Sequence, residues 1–327
     1  MTVRLSSEVL AEAFRAAMAV AHAYAGATAP NPPVGCVVLD ENGQALAWEG
    51  HQKAGGAHAE AAAIKACREA GLSERIHTIV VSLEPCNHAG RTPACTEAIL
   101  STPAKAVWIG ACDPNTKVAG GGAARLVASG LDVAFWDELD HPQSAALKQM
   151  ADRLIAPFAT WCALGRPWLT IKHAIAADGG MIAPGGRGTF TSQSSLVLAH
   201  RLRRRADAII TGSGCILVDD PAFTVRHVAD HAGKRRKLAI LDRRGRTPAP
   251  YVEAAQARGF DVVVRGDLPG LLDELAGAGV IEALVEAGPT LLEAFLEQDL
   301  WDEHVIIRQS PIPGRPDLID VRSRPAA

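Results

Sequence analysis

Aromatic side chains are scarce in this chain of 327 residues: Phe, Trp and Tyr make up 5%, and Tyr occurs twice. That scarcity speaks against the stacking platforms on which proteins hold single-stranded nucleic acid. An excess of one charge is also missing, since the formal net charge is −3 at pH 7. No global basic field therefore draws nucleic acid or anionic lipid. Long apolar runs are absent, and nothing approaches the roughly 18 uninterrupted residues of a membrane helix. Near the N-terminus, Glu8, Glu12 and Arg15 interrupt the apolar stretch. The spacing of Val9, Leu10, Phe14, Ala17, Met18 and Ala21 predicts an amphipathic helix, not a signal peptide. Nor is there a disulfide framework: the seven cysteines are odd in number and scattered from Cys36 to Cys215. We expect a cytoplasmic protein whose cysteines are either small buried apolar groups or metal ligands and nucleophiles.

What is present is an ordinary globular composition, 48% hydrophobic and 21% charged. The length predicts two domains, 1–150 and 151–327, with the boundary falling within 140–165. The first half alternates helices and strands. Helices are expected near 6–25, 57–70, 96–100 and 123–129, with strands at 34–39, 45–50, 78–83, 105–111 and 131–135. That pattern predicts an α/β sandwich around a largely parallel sheet. The second half restarts the alternation, with strands at 168–174, 208–211, 237–241, 261–264, 283–285 and 303–307. Helices are expected there at 196–205 and 290–298. Residues 1–160 hold 12 Lys and Arg against 16 Asp and Glu, while Arg201–Arg205 and Lys234–Lys237 are locally basic.

Three stretches of the first half carry chemistry: Asn31-Pro32-Pro33-Val34-Gly35, His58-Ala59-Glu60, and Glu84-Pro85-Cys86 continuing to Cys95. A histidine at a helix start is ordinarily a cap or a packed residue, and a buried cysteine is ordinarily inert. H-A-E before a helix together with E-P-C after a strand is a more specific combination. His58, Cys86 and Cys95 make a three-ligand zinc site with a fourth position left for water, whose pKa zinc lowers toward neutrality. Glu60, two residues from His58, is placed to move a proton rather than to ligate. Zinc deaminases divide the labour in this way, although here the thiols lie nine residues apart and not in C-x-x-C. Cys36, Cys67, Cys112, Cys162 and Cys215 take a structural reading. His51 and His77 are expected at the surface or behind the site.

Pro30–Val37, His51–Glu60 and Leu83–Cys95 resemble motifs of the RibD family of bifunctional riboflavin-biosynthesis proteins. Asp113-Pro114-Asn115 with Val118–Gly122 is similar to a further segment of that family. The resemblance implies a cytidine-deaminase-like three-layer α/β/α domain followed by a dihydrofolate-reductase-like α/β domain. It implies zinc-dependent deamination of a diaminopyrimidinone ribosylamine phosphate, then NADPH-dependent reduction of its ribosyl group. Asn31 would hold the pyrimidine edge, with His88, Arg91, Thr92, Asp113 and Asn115 around the ribose phosphate. In the second domain, Arg203, Phe223, Arg226 and Glu286 fall at substrate positions. Ala174, Asp219 and the loop Gly288-Pro289-Thr290 fall at cofactor positions. The implied partners are a small molecule and other copies of the chain, with no nucleic acid and no membrane.

The second half also departs from the family. Ala176-Ala177-Asp178-Gly179 stands for S-x-D-G, and Thr189-Phe190-Thr191 for W-I-T, which removes the tryptophan lining the nicotinamide pocket. Arg187 lies where a small hydroxyl residue is expected, and Cys215 replaces a threonine. No A-P-x-x-x-G segment follows Ile307, so this domain reads as diverged and short at its C-terminal end. These departures leave an alternative: a deaminase whose second domain serves as scaffold or ligand-binding module.

Overall fold

The computed structural model describes residues 5–88, 93–115, 119–181, 189–312 and 314–324. The chain separates into two compact units, 1–163 and 164–327. The first opens with α1 (Ser7–Ala23), whose first turn is capped by the Ser6 hydroxyl accepting from Val9 N–H. Leu10, Phe14, Ala17 and Ala21 form its buried stripe. Then come β1 (Gly35–Leu39), β2 (Ala45–Gly50), α2 (Ala59–Glu69), β3 (Thr78–Val81), α3 (Cys95–Leu100), β4 (Ala106–Ile109), α4 (Gly121–Ala128), β5 (Asp132–Phe135) and α5 (Ser144–Leu164). The expected domain change after residue 150 falls inside α5.

The five strands form one sheet in the order β2-β1-β3-β4-β5. It is mixed where a largely parallel sheet was expected: β1 runs antiparallel to both β2 and β3, and only β3–β4 and β4–β5 are parallel. The reason is local, because Asp40–Gly43 returns the chain directly into a hairpin. The Asp40 carboxylate accepts the N–H groups of Asn42 and Gln44 and fixes that turn. Period-two alternation then gives the sheet two apolar faces. Val38, Ile79, Val81, Val107 and Ile109 pack against Ala63, Ile64, Ile99 and Leu126 of α2–α4. Val37, Leu39, Val80 and Trp108 pack against Leu10 and Phe14 of α1 and Leu147 of α5. The result is three layers, helix on sheet on helix.

The second unit contains β6 (Trp168–Ile175), α6 (Gln193–Arg205), β7 (Ala208–Gly212), α7 (Ser213–Asp219), β8 (Arg236–Leu241) and α8 (Ala249–Ala257). It continues with β9 (Phe260–Arg265), α9 (Leu268–Gly277), β10 (Glu282–Val285), α10 (Pro289–Glu297), β11 (Glu303–Arg308) and β12 (Leu318–Ser323). The sheet order is β12-β11-β6-β10-β7-β8-β9, parallel except for β11–β12. Leu169, Ile171, Ile210 and Val285 face α9 and α10, where Leu275 and Phe295 are fully buried. Ile209, Leu238 and Ile240 face α7 and α8 on the other side. Sequence periodicity did not place α7, α8, α9 or β12. β12 exposes nearly all of its residues, so it carries no alternation to read.

The N-terminal edge of this sheet absorbs much of the local basic charge. Arg205 pairs with Glu282 and Glu303, Lys234 with Asp207, and Arg236 with Asp230. Arg166 forms two hydrogen bonds to Asp302, at 2.6 and 2.8 Å, beside the start of β6. Arg205, Lys234 and Arg236 of the basic runs are thus stitched into the fold. Among the described residues no helix is long and apolar enough to cross a membrane.

One close approach limits the first unit. A Cβ at Gly35 would lie 2.0 Å from the Ala17 carbonyl oxygen and 3.0 Å from the Ala21 nitrogen, where α1 crosses β1. Gly35→Ala should destabilise the first unit by about 1–3 kcal/mol, since helix backbone cannot yield as a side chain would. Urea denaturation measures this, and an unchanged midpoint would contradict the close approach.

Candidate active sites

His58 immediately precedes α2 in extended conformation, and its side chain makes no capping hydrogen bond. Cys86 lies in the loop after β3, and Cys95 opens α3. These three starts and ends converge: His58 Nδ1 is 3.6 Å from Cys86 Sγ and 3.3 Å from Cys95 Sγ. All three donor atoms lie within 4.8 Å of one another. Among the described residues no other group of three or more His, Cys, Asp or Glu converges in this way. The Cys95 N–H also points at Cys86 Sγ, 3.4 Å away. The hydrogen bond with the Cys95 side chain, helped by His58, draws the Cys86 thiol down to about 4. Cys95 is pushed upward by the same bond and by burial. An imidazole and two thiols held this closely are a donor set suited to zinc.

Glu60 sits in the first turn of α2 with 3% of its surface exposed. Burial pushes its carboxyl up to about 7, so it can take and release a proton near neutrality. Beside it, His51 donates from Nδ1 to the Ala57 carbonyl oxygen at 2.9 Å, which leaves Nε2 to accept from Asn31 Nδ2 at 3.2 Å. Burial lowers the pKa of His51, keeping the ring neutral for that role. His51 is 2% exposed and orients the Asn31 amide, so it is not a surface residue.

Glu84 had no assigned role in the sequence, yet its buried carboxylate organises the far wall. Its Oε2 accepts from Gly120 N–H at 2.9 Å and Asp113 N–H at 3.4 Å; its Oε1 accepts from Gly122 and Ala123 at 3.1 and 3.0 Å. It thereby ties the loop that carries Cys86 to the start of α4, where a negative charge also meets the positive helix end. Asp113 accepts the Asn115 N–H at 2.9 Å, and its pKa is raised by burial. His88 is exposed on the loop beyond Cys86. Arg91 and Thr92 lie outside the described residues, as does Arg187.

In the second unit, a cleft of about 1290 Å³ opens at the C-terminal ends of β6, β7, β8 and β10. Open α/β sheets bind ligands at this edge. Arg203, Phe223, Arg226 and Glu286 all line it, and so do Ala174, Asp219, Gly288, Pro289 and Thr290. Glu286 is gripped from two sides: Lys172 Nζ is 2.8 Å from Oε2, while Arg203 Nε and Nη2 bond the two oxygens. Burial alone would raise its pKa, but Lys172 and Arg203 hold the carboxyl well below the usual range. Lys172 was missed as a site residue; a single cation within the apolar run of β6 was the available signal. Thr189, where the resemblance expects tryptophan, lines the cleft beside Phe190, and Cys215 lies against Gly288. A Cβ at Gly214, also on the wall, would project into open space. A backbone wall beside the first turn of α10 is a surface that a pyrophosphate can approach closely.

Two buried imidazoles belong to this cleft. His200 Nδ1 accepts the Arg226 N–H at 2.8 Å, and His173 Nδ1 lies 3.0 Å from His304 Nε2. Burial lowers both His173 and His200 to about 4.

Comparison with known proteins was consistent in both halves. A family profile described as cytidine and deoxycytidylate deaminase zinc-binding region matches residues 8–111, and one described as RibD C-terminal domain matches 167–318. Riboflavin biosynthesis protein RibD of Aquifex aeolicus is 32% identical over 321 residues, covering 91% of this chain and 86% of that protein. RibD of Mycobacterium tuberculosis H37Rv is 36% identical over 287 residues, covering 85% and 79%. Among solved structures, Acinetobacter baumannii RibD superposes with a TM-score of 0.79 at 30% identity, covering 95% of this chain and 89% of that one. A diaminohydroxyphosphoribosylaminopyrimidine deaminase/5-amino-6-(5-phosphoribosylamino)uracil reductase from Thermotoga maritima gives 0.78 at 25% identity, with the same coverage.

Two outcomes follow from these contacts. Glu84→Ala leaves four backbone donors without their acceptor and should cost the first unit about 3 kcal/mol in urea denaturation. A loss below about 1 kcal/mol would mean that water replaces the carboxylate at no cost. The second concerns pH. Between about 4 and 6.5 the unfolded chain binds protons at His173 and His200 that the folded chain does not. Stability present above pH 6.5 should therefore fall as pH drops through that window, by about 1–2 kcal/mol per ring after allowing for solvent near the cleft. Denaturation of the second unit at pH 7 and pH 5 checks this, with His200→Gln flattening the slope.

Proposed function

Because the chain belongs to the RibD family of riboflavin-biosynthesis proteins, we propose that its named residues divide a deaminase and a reductase reaction between the two units. The convergence of His58, Cys86 and Cys95 beside a buried, near-neutral Glu60 carries this reading. His58, Cys86 and Cys95 hold zinc, which when bound lowers the pKa of a water toward neutrality and makes it a nucleophile. Glu60 takes the proton of the attacking water and returns it to the departing amine, so that ammonia leaves as a neutral molecule. Asn31, oriented by His51, holds the pyrimidine edge. Asp113, Asn115 and His88, with Arg91 and Thr92, line the ribose phosphate. The substrate class is the phosphoribosylaminopyrimidine named for the Thermotoga relative.

The second unit reduces the ribosyl group of the deaminated product. Gly288, Pro289 and Thr290, with Ala174 and Asp219, hold NADPH, which supplies the hydride. Glu286, fixed by Lys172 and Arg203, presents a charged carboxylate to the sugar hydroxyls, and the Phe223 ring, with the Arg203 guanidinium over it, lines the same substrate site. The Arg226 side chain makes no ion pair among the described residues and takes the substrate phosphate. The gathering of Arg203, Phe223, Arg226 and Glu286 with Ala174, Asp219 and the Gly288 loop around one cleft supports a working reductase over a scaffold. Seven free cysteines support residence in a reducing cytoplasm. Exposed Leu318, Ile319 and Val321 on edge strand β12 support assembly with further copies, which sedimentation measures.

The test supplies full-length protein with the diaminopyrimidinone phosphate and NADPH, following ammonia and nicotinamide absorbance together. Wild type should bind about one zinc per chain and show both signals. Glu60→Gln should keep the metal and lose about 100-fold or more of ammonia release; Cys86→Ser should lose the metal itself. Full activity in Glu60→Gln would end its assignment as the proton carrier. Ammonia release without NADPH oxidation would leave the deaminase alone.

A further inference from the structure

Residues 220–230, between α7 and β8, form neither helix nor strand, yet they carry Arg226 to the cleft of the second unit. Two residues of this segment hold left-handed backbone, Asp220 at φ +40° and Phe223 at φ +52°. A side chain as bulky as Phe223 is disfavoured there, and such backbone persists only where its surroundings fix it. The fixing contacts come from two helices. Tyr251 of α8 donates its hydroxyl to the Pro221 carbonyl oxygen at 2.7 Å. From α6, Arg203 Nη1 donates to the Thr224 carbonyl oxygen at 3.3 Å, and His200 Nδ1 accepts the Arg226 N–H at 2.8 Å. His200 is buried. Its ring meets that of His227 edge-on with 4.6 Å between centroids, and His227 Nδ1 lies 3.2 Å from Gln193 Nε2 at the start of α6.

The bond to Arg226 defines the state of the imidazole. A ring nitrogen that accepts a backbone N–H carries no proton, so the neutral ring holds its proton on Nε2. Arg203 Nη1, 3.5 Å from Nε2, is itself a donor, so the ring is tied through Nδ1. Burial, with the positive charges of Arg203 and Arg226 close by, keeps the ring in this neutral form. On the other side of the bond, the tethered N–H sets the backbone from which the Arg226 side chain leaves. That side chain is exposed, lines the cleft and makes no ion pair among the described residues. An arginine on an untethered loop would lose backbone freedom as well as rotamers on gripping an anion, and the tether removes the backbone part of that cost in advance. We propose that His200 is a positioning residue for the second reaction, holding the Arg226 backbone so that its guanidinium meets the substrate phosphate. The inference rests on the assignment of that phosphate to Arg226 given above.

Kinetics of NADPH oxidation by the full-length protein with the deaminated pyrimidine phosphate test this, together with calorimetric titration of NADPH. Two amide variants separate the ring nitrogens: Asn places an acceptor oxygen where Nδ1 stood, whereas Gln reaches the position of Nε2. His200→Gln should raise KM about 10-fold with kcat changed less than about twofold, and so should Arg226→Gln. Combining the two should raise KM no more than about twofold beyond either, because the ring works through the arginine. His200→Asn should recover most of the lost KM. NADPH affinity should stay within about twofold throughout. Additive losses in the double variant, or wild-type KM in Gln but not in Asn, would overturn the proposal, since the ring would then act on the ligand directly. So would NADPH affinity falling in parallel with KM, which marks a general loss of cleft structure. Should His200→Gln fail to fold, His200→Asn decides: a folded Asn variant with KM raised as far as in Arg226→Gln rejects the tether. An unchanged KM in Arg226→Gln rejects the phosphate assignment beneath the proposal, and wild type that oxidises no NADPH rejects the reductase reading itself.

Discussion

Glu84 gives up almost all of its water where the chain leaves β3, and backbone N–H groups from 113 to 123 take the place of that water. A buried carboxylate is tolerated only when its lone pairs are satisfied, so the two loops it joins must stay in register. One of these loops brings Cys86 to His58; the other brings Asp113 and Asn115 to the same rim. Gly122 shows how little slack remains, since a Cβ there would lie 1.9 Å from the Pro85 carbonyl oxygen. The placing of Cys86 against His58 therefore depends on Glu84, which is not one of the three converging donors.

Glu286 has a parallel place in the second unit, at the end of a buried central strand. Its neighbours are cations instead of backbone donors, so its charge is retained at the floor of an open cleft. The two solutions suit different tasks. Glu84 is consumed by structure, whereas Glu286 keeps a charged face available to a ligand. The same unit separates paired from unpaired charge across its sheet: Arg205, Lys234 and Arg236 are paired at one edge, and Arg226, Arg243 and Arg244, which make no ion pair among the described residues, line the cleft at the other.

Glu60 and His58 illustrate what residue order conveys. The proposed ligand and the proposed proton carrier lie two positions apart at a helix start, so local geometry alone brings them together, and the H-A-E motif was legible without a fold. Cys86 and Cys95 were legible through the strand-loop-helix pattern around them. Alternation of apolar residues also placed most buried strands of both units. It did not reveal α8, whose apolar residues lack a strong stripe, or β12, which is exposed on both faces. The direction of β1 followed from a hairpin turn already visible in the sequence, although alternating helices and strands pointed to a more parallel sheet.

By itself the sequence determined the α/β character of both halves and the family, and it singled out His58, Cys86 and Cys95 as a candidate metal-ligand set with Glu60 beside it. Those features rest on residue type and short spacing, which covalent connectivity enforces. Only the tertiary structure decided that His51 orients Asn31, that Glu84 binds the 113–123 segment, and that Lys172 and Arg203 hold Glu286. Arg203 and Glu286 are 83 residues apart in the chain yet in direct hydrogen-bond contact. Hydrogen bonds and Coulomb forces depend on distance through space, and that distance exists only once the strands have paired and the helices have packed.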